Sequence, residues 1–368
     1  MEQGLKPELV AEAVSLLQEL IAIPSVSRQE DKTADRIFSF LAQKNLSVSR
    51  TGNNVWVKNQ YFQAARPTIL LNSHHDTVAP NTGYTRNPCE ATLEGDKLYG
   101  LGSNDAGGPL VALLATFLHY QVIPDLPFNL IFAATAEEEI SGNGGVSSII
   151  AALGDIHLAI VGEPTKMELA VAERGLLVID CVAKGKAGHA ARNEGLNAIY
   201  EAMKDIEWFH HFHFPQSSPW LGDVSMNVTV IAAGHSHNQV PAACNFVVDI
   251  RLNEHYTHQQ VLEIIRKHIS CEVKERSTRI KPSFINFEHP FVQAAKALDI
   301  KLYGSPTTSD MALMPWTAVK LGPGDSARSH TADEFILISE IKQGIETYIH
   351  LLHRYSLHLI STQQKPTL

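Results

Sequence analysis

A chain of 368 residues is too long for one ordinary core, and its 44% hydrophobic and 19% charged content fits a globular protein of about two domains rather than a disordered one. The formal charge of −9, with no basic run and no basic-aromatic stripe, argues against a nucleic-acid surface and points to a small-molecule partner. No apolar stretch approaches the roughly 18 residues of a membrane helix, and the N-terminus MEQGLKPELVAEAV has acids but no signal-type apolar region, so a cytoplasmic location and no membrane partner are expected.

Val10, Val14, Leu16, Leu17, Leu20 and Ile21 recur at helical spacing before Pro24, and a second such pattern covers Ile37, Phe38 and Leu41. Short apolar runs follow, TILLN at Thr68–Asn72, FNLIFAAT at Phe128–Thr135 and LAIVG at Leu158–Gly162, with a helical pattern at Leu110–Tyr120. Runs that are continuous rather than alternating suit strands covered on both faces, so an α/β domain with a mainly parallel sheet is expected.

After Gly175 the character changes. LLVIDCVAKG reads as a strand, Leu196–Phe209 as a helix, VSMNVTVIA and NFVVDIRL as strands, Thr257–His268 as a helix and CEVKE as a strand. This β-α-β-β-α-β order is the ferredoxin-like plan. The strand AVKLG at Ala318–Gly322 and a long amphipathic helix over Ile338–Tyr355 then return to the first pattern. The expected organisation is a discontinuous catalytic domain, residues 1–173 and 286–368, with residues 174–285 inserted as a smaller domain.

Four polar clusters stand where predicted strands end: His74 and Asp76 after TILLNS, Asp105 in LYGLGSNDAGG, Glu137, Glu138 and Glu139 after LIFAATA, and Glu163 in IVGEPT. In open α/β sheets ligands bind beyond the carboxyl ends of the strands. One histidine with several carboxylates is a nitrogen-and-oxygen set for zinc or a similar divalent ion, and a two-oxygen carboxylate can bridge a pair of ions. Taken singly, His74 is more often structural, the acidic triplet more often a helix N-terminus and the glycine-rich segment a turn. Four such clusters at successive strand ends outweigh those readings. The cysteines Cys89, Cys181, Cys244 and Cys271 are far apart without a CxxC pair, so they are expected to be reduced and to hold no metal.

In order along the chain, HHDTV, GLGSNDAGG, TAEEE, GEPT, GKAGHAA, NQVPAACNFVVDIR, TTSD, GPGD and SHTADE resemble the di-zinc aminoacylase and carboxypeptidase clan that includes acetylornithine deacetylase, succinyl-diaminopimelate desuccinylase and glutamate-releasing carboxypeptidases. GEPT, rather than an aspartate there, resembles the deacetylase and desuccinylase branch. The resemblance implies that His74, Asp105 and Glu163 hold one ion, that Asp105, Glu139 and His330 hold the second, and that Asp76 orients His74. It implies Glu138 as general base, since two cations acidify a water whose proton a free carboxylate can carry to the leaving amine. His75 fills the variable place of the histidine-any-aspartate pattern.

The same resemblance makes the inserted domain a dimerisation domain, with His189 reaching a partner's site to stabilise an oxyanion, worth roughly 3 kcal/mol or more. Asn238 and Arg251 match substrate-site positions, the arginine for a carboxylate, and Gly322–Gly324 match a loop beside the substrate. The cofactors implied are two divalent ions, zinc first, with cobalt or manganese as alternatives. NDAGG departs from the clan's DMKGG, and TVAP is one residue longer than TVP. WFHHFHF at Trp208–Phe214 reads as a helix end with solvated histidines rather than a metal site, and Asp310 as a support for His330 or a helix cap.

The expected activity is hydrolysis of the amide of an N-acyl amino acid by a cytoplasmic homodimer. N-acetylornithine comes first, which would belong to arginine biosynthesis, followed by N-acetylcitrulline or an N-succinyl amino acid. A dipeptidase or carboxypeptidase of the same clan, and a non-catalytic ligand-binding dimer, are the alternatives.

Overall fold

The computed structural model describes residues 6–363. The chain divides into two compact units: the first runs to Val171 and includes Phe284–Tyr303 and the chain from Ser309 on, while the second is Ala172–Ser283 with Gly304–Thr308.

Helix α1 (Pro7–Ile21) starts with a proline at its first turn, where a missing N–H costs nothing, and buries Ala13, Leu16, Leu17, Leu20 and Ile21. Helix α2 (Asp31–Gln43) buries Ile37, Phe40 and Leu41 in the same manner. A hairpin of β1 (Val48–Thr51) and β2 (Asn54–Lys58) precedes β3 (Thr68–His74), and β4 (Thr92–Glu94) with β5 (Lys97–Tyr99) leads into α3 (Gly108–Tyr120). Then follow β6 (Asn129–Thr135), the single turn α4 (Ile150–Leu153), β7 (Leu158–Val161) and β8 (Leu169–Glu173).

Every residue of β3, β6 and β7 is buried, as continuous apolar runs require of doubly covered strands. Helix α3, itself buried almost throughout, covers one face of β3 and β6 and is in turn packed against α1 and α8. On the opposite face Leu70, Ile131, Ala133 and Ala159 meet Val146, Ile149, Leu153, Met311 and Met314.

In the second unit β9 (Gly175–Lys184), the two-residue β10 (Gly188–His189), α5 (Ala198–His211), β11 (Ser225–Ala233), β12 (Gln239–Val240), β13 (Ala243–Leu252), α6 (His258–His268) and β14 (Glu272–Ser277) follow in order. The antiparallel sheet runs β11-β13-β9-β14, the ferredoxin-like arrangement. Strict alternation in β9 and β13 puts Leu177, Ile179, Cys181, Phe246, Val248 and Ile250 on one face, where Ala198, Ala202 and Phe209 of α5 and Val261, Leu262 and Ile265 of α6 complete the core. Side chains cap both helices: Asn197 accepts the Ile199 N–H, and Thr257 forms a reciprocal box with Gln260. Gly304–Thr308 belongs to this unit although no sequence signal marks it. A Cβ on Gly304 would stand 2.2 Å from the Trp220 carbonyl oxygen, and the Arg174 N–H bonds the Ser305 carbonyl at 3.2 Å.

The chain continues through β15 (Ser283–Phe284), α7 (Pro290–Lys296), β16 (Leu302–Ser305), β17 (Ala318–Lys320), β18 (Phe335–Leu337) and α8 (Ile338–Gln363). The large sheet has the order β1-β2-β6-β3-β7-β17-β8-β15, with β16 on β8. Its centre, β6-β3-β7-β17, is parallel, while β2 joins β6, and β17 joins β8, antiparallel. The sheet is therefore mixed, and three of the four polar clusters stand at its parallel part; the fourth, with Asp105, follows β5, which pairs antiparallel with β4 and β18 in a separate three-stranded sheet. Register pairs His74 with Thr135, and Val161 with both Asn72 and Lys320, so the four strands end within two residues of one another. Among the described residues no helix is long and apolar enough to cross a membrane.

Phe246 is 1% exposed and meets Phe209 edge-on at 6.2 Å. Phe246→Ala should cost about 3–5 kcal/mol in denaturant unfolding, and a loss under about 1 kcal/mol would contradict the core described for this unit.

Candidate metal centre

The end of β3 resolves the paired histidines by strand alternation. His75 turns away, its Nε2–H donating to the Asn53 carbonyl and its Nδ1 lying 2.9 Å from the Thr33 hydroxyl. His74 turns the other way. Its Nδ1–H donates to the Asp76 carbonyl at 2.9 Å, which fixes the tautomer and leaves Nε2 facing a cluster of acids.

Those acids come from three further segments. Asp105 lies in the bend between β5 and α3, Glu138 and Glu139 occupy a 3-10 turn just beyond β6, and Glu163 follows β7. From His74 Nε2 the distances are 3.3 Å to Asp105 Oδ1, 3.8 Å to Glu138 Oε2 and 3.9 Å to Glu163 Oε1. His330 approaches from the loop before β18, its Nε2 2.9 Å from Glu139 Oε2 and 3.8 Å from Asp105 Oδ2. The two oxygens of Asp105 thus face different histidines, the geometry of a carboxylate that bridges two ions.

Two triads, His74 with Glu138 and Glu163, and His74 with Asp105 and Glu139, bring ligand atoms within 4.8 Å of one another. Four carboxylates against two imidazoles leave a strong excess of negative charge. Glu163 Oε1 is also buried without a hydrogen-bond partner among the described residues, a state that costs free energy unless a cation or donor faces it. Two divalent cations would balance four carboxylates and occupy that oxygen, so the residues fit such a pair.

Proton affinities carry the same imbalance. Burial raises Glu163 to about 8 and Glu138 well above the carboxylate range, and Glu139 rises for the same reason. Burial would lower His74, but Glu138, Asp105, Asp76 and Glu163 around it raise it well above 6.5. Burial would likewise raise Asp76. Hydrogen bonds from His74, Ser27 and the Glu138 N–H prevail and hold it at about 2.

Asp76 does more than the sequence indicates. Its backbone carbonyl, rather than its carboxylate, takes the closer contact with His74; the carboxylate oxygen Oδ1 is 3.5 Å from Nδ1. The carboxylate accepts the Ser27 hydroxyl at 2.6 Å and the N–H groups of Glu138 and Glu139 at 3.0 and 3.3 Å. Ser309, not Asp310, caps the 3-10 turn that Asp310 begins. The Asp310 carboxylate instead accepts Asn72 Nδ2–H and the Thr135 hydroxyl at 3.0 and 2.6 Å, joining β3 to β6. Burial raises it to about 6.

Glu334, the last letter of SHTADE, carries no role in the sequence reading, yet it accepts three main-chain N–H groups around Asp105. Gly322 and Gly324 stand where this loop meets its neighbours. A Cβ on Gly322 would lie 2.4 Å from the Glu163 carbonyl oxygen, and one on Gly324, at φ +91°, would lie 2.5 Å from Asn104 Oδ1. Asn104 Oδ1 accepts the Asp325 N–H there at 3.0 Å.

The remaining candidates lie in the second unit. His189 on β10 pairs with Gln239 on β12, and the Ala190 N–H donates to the Asn238 carbonyl at 3.1 Å, so His189 and Asn238 share one ribbon. Arg251 on β13 is held bidentately by Asp249 at 2.8 and 3.0 Å. His210, His211 and His213 are exposed at the end of α5 and join no metal-ligand group among the described residues.

Residues 70–354 match the peptidase family M20/M25/M40. The chain is 28% identical over 354 residues to a [LysW]-lysine/[LysW]-ornithine hydrolase of Sulfurisphaera tokodaii, covering 93% of this chain and 95% of that one. It is 26% identical over 384 residues to a probable carboxypeptidase of Aspergillus oryzae, at 92% and 86% coverage. Its fold is similar to that of the YXEP protein of Bacillus subtilis, a dinuclear metal-binding peptidase, with a TM-score of 0.71, 14% identity, and 98% and 100% of the two chains covered.

Burial lowers His75 from 6.5 to about 4. Below its unfolded pKa the unfolded chain binds a proton that the fold refuses, so stability should fall as pH drops from about 6.5 to about 4, by about 3 kcal/mol. Denaturant unfolding near pH 7 and near pH 4 should reveal that slope and its loss in His75→Asn; equal slopes in both proteins would contradict a neutral buried His75.

Proposed function

The chain belongs to the peptidase family M20/M25/M40, and from that premise we propose that it is a two-metal amidohydrolase that releases an α-amino acid from its N-acyl form, with N-acetylornithine the first candidate substrate. The observation that carries this reading is Asp105, whose oxygens face His74 on one side and His330 on the other. His74, Asp105 and Glu163 would hold one ion; Asp105, Glu139 and His330 the other. When bound, such ions polarise an amide carbonyl and acidify a water between them.

Glu138 is the acid that this assignment leaves free of a ligand role, although it stands in one of the two triads and lies as near His74 as Glu163 does. Its buried carboxylate has a raised proton affinity, which suits a group that takes a proton from water and gives it to the departing amine nitrogen. Asp76 fixes the imidazole of His74 and the backbone of Glu138 together, so base and ligand keep one spacing.

The candidate groups for substrate charge lie in the second unit. The Ala191 N–H donates to His189 Nδ1 at 3.2 Å, which leaves Nε2 of this exposed ring as the donor for an oxyanion. Asn238 sits beside it on the ribbon. Asp249 orients the Arg251 fork, two of whose five donors it uses, leaving others for a substrate carboxylate. Gly322 and Gly324 would keep the loop beside Glu163 close enough to border the substrate.

The hydrolase of Sulfurisphaera tokodaii is named for lysine and ornithine, which supports a basic amino acid as product and a place in arginine biosynthesis. The probable carboxypeptidase of Aspergillus oryzae supports a second reading, cleavage of a C-terminal residue from a peptide by the same centre. A non-catalytic role is disfavoured, because a binding protein has no chemical need for Glu138 among the ligands.

A homodimer completes the proposal. Strand β11 is an outer strand of its sheet and exposes Val230 and Ile231 at 55% and 56%, while Leu196, Tyr200 and Met203, before and on α5, are 49–65% exposed. An apolar edge of this kind is suited to pairing with a second copy, which would bring His189 to the partner subunit's centre.

Free-amine release should be measured on N-acetylornithine, N-acetylcitrulline, N-succinylornithine, N-succinyl-diaminopimelate and several dipeptides, with zinc or cobalt and with chelator. One preferred acyl amino acid, lost with chelator, is the expected result; preference for dipeptides would favour the peptidase, and chelator-resistant turnover would refute the mechanism. Glu138→Ala should keep its metal and lose about 10²–10⁴-fold in turnover.

Ile231→Lys should convert a dimer to a monomer in sedimentation velocity while circular dichroism is unchanged. A dimer that survives the substitution would move the interface elsewhere.

A further inference from the structure

The segment that presents Asp105 has no regular ladder of its own. Asp105 and Ala106 have φ/ψ of −121°/97° and −118°/33°, outside the helical region, and Gly102 has a φ of 74°. Such a bend leaves main-chain N–H groups without helical partners, and buried N–H groups must find others.

They find one side chain. Glu334 Oε1 accepts the N–H of Asn104 at 2.8 Å and of Asp105 at 2.9 Å, and Oε2 accepts the N–H of Gly102 at 3.1 Å. The carboxylate cannot drift, because the Gly100 N–H donates to the Glu334 carbonyl at 3.0 Å and the next residue, Phe335, pairs with Tyr99. Glu334 is 2% exposed. Its neighbour Asp333, by contrast, accepts the N–H groups of Thr85 and Arg86 and the Thr85 hydroxyl.

We propose that Glu334 is a positioning residue for the two-cation centre: by gripping the N–H groups of Gly102, Asn104 and Asp105 it sets the direction in which both Asp105 oxygens point, and so the affinity and spacing of the two ions. The inference rests on the reading of Asp105 as the bridging ligand. Glu334 touches neither substrate nor ion and acts through the backbone of Asp105. Loss of a group that orients a ligand lowers metal affinity by about 10–100-fold.

The test uses the full-length protein loaded with cobalt, with affinity measured by competition against a chelator, stoichiometry by titration, and coordination by the visible absorption spectrum. Glu334→Ala should weaken cobalt binding about 10–100-fold and change the spectrum. Glu334→Gln, whose amide oxygen can still accept two of the three N–H groups, should recover part of both. Tyr120→Phe removes a buried hydrogen bond to the Ile349 carbonyl in another region; it should lower the melting temperature and leave affinity and spectrum unchanged, separating positioning from general loosening.

A folded Glu334→Ala with wild-type affinity and spectrum would overturn the proposal, and if that variant does not fold, the same outcome in Glu334→Gln would do so. Wild-type protein that binds no cobalt, or Asp105→Asn that binds it unchanged, would instead remove the metal reading itself and the proposal with it.

Discussion

The structure depends on buried carboxylates that hold the main-chain N–H groups of the turns and bends presenting the acids of the site. Asp76 grips Glu138 and Glu139, Glu334 grips Gly102, Asn104 and Asp105, and Glu30, fully buried, accepts the Glu137 N–H at 3.2 Å. In each case an acid fixes the backbone that presents another acid. Such packing is unfavourable by charge alone, because like charges in a low-dielectric interior repel and each loses its hydration. It is tolerable if N–H dipoles neutralise the inner acids and cations neutralise the outer ones. The outer acids, Asp105, Glu138, Glu139 and Glu163, face the histidines, so the direction in which the fold leaves charge unbalanced is the direction in which cations belong.

This division explains what the sequence discloses and what it hides. Of the outer acids, Glu138, Glu139 and Glu163 stand beside runs such as LIFAAT and LAIVG, whose burial on both faces demands a parallel centre, and residues just past such strands lie close together. His74 and Glu163 are legible for that reason. The choice of His74 over His75 is implied by the histidine-any-aspartate pattern of the resemblance, and the structure turns His75 the other way, to Asn53 and Thr33.

Asp76 shares the motif of His74 and is legible with it, but the grips of Glu334 and Asp310 are not. Glu334 and Asp105 are 229 positions apart, and Asp310 and Asn72 are 238 apart. What calls for a carboxylate at those places is an unsatisfied backbone or amide donor, which exists only after the bend has formed and leaves no spacing in the chain. The antiparallel flanks of the large sheet are hidden for a related reason, since burial fixes which strands are covered but not the direction in which an outer strand is added. In the second unit the opposite holds. Alternation in β9 and β13 writes the sheet face directly, and helix caps such as Thr257 with Gln260 mark their own boundaries.

The remaining step is how two adjacent glutamates acquire different work. Glu138 and Glu139 lie in a 3-10 turn, in which successive side chains diverge by about 120°, so they cannot point at the same target. Glu139 reaches His330 at 2.9 Å, and Glu138 turns toward His74 at 3.8 Å. Because Asp76 binds both N–H groups, neither side chain can exchange places with the other without breaking that grip. A helix in place of the short turn would spread the pair along a longer axis and weaken their common attachment to β3. The chemistry therefore depends less on the presence of two acids than on a backbone that Asp76 holds in a turn tight enough to separate them.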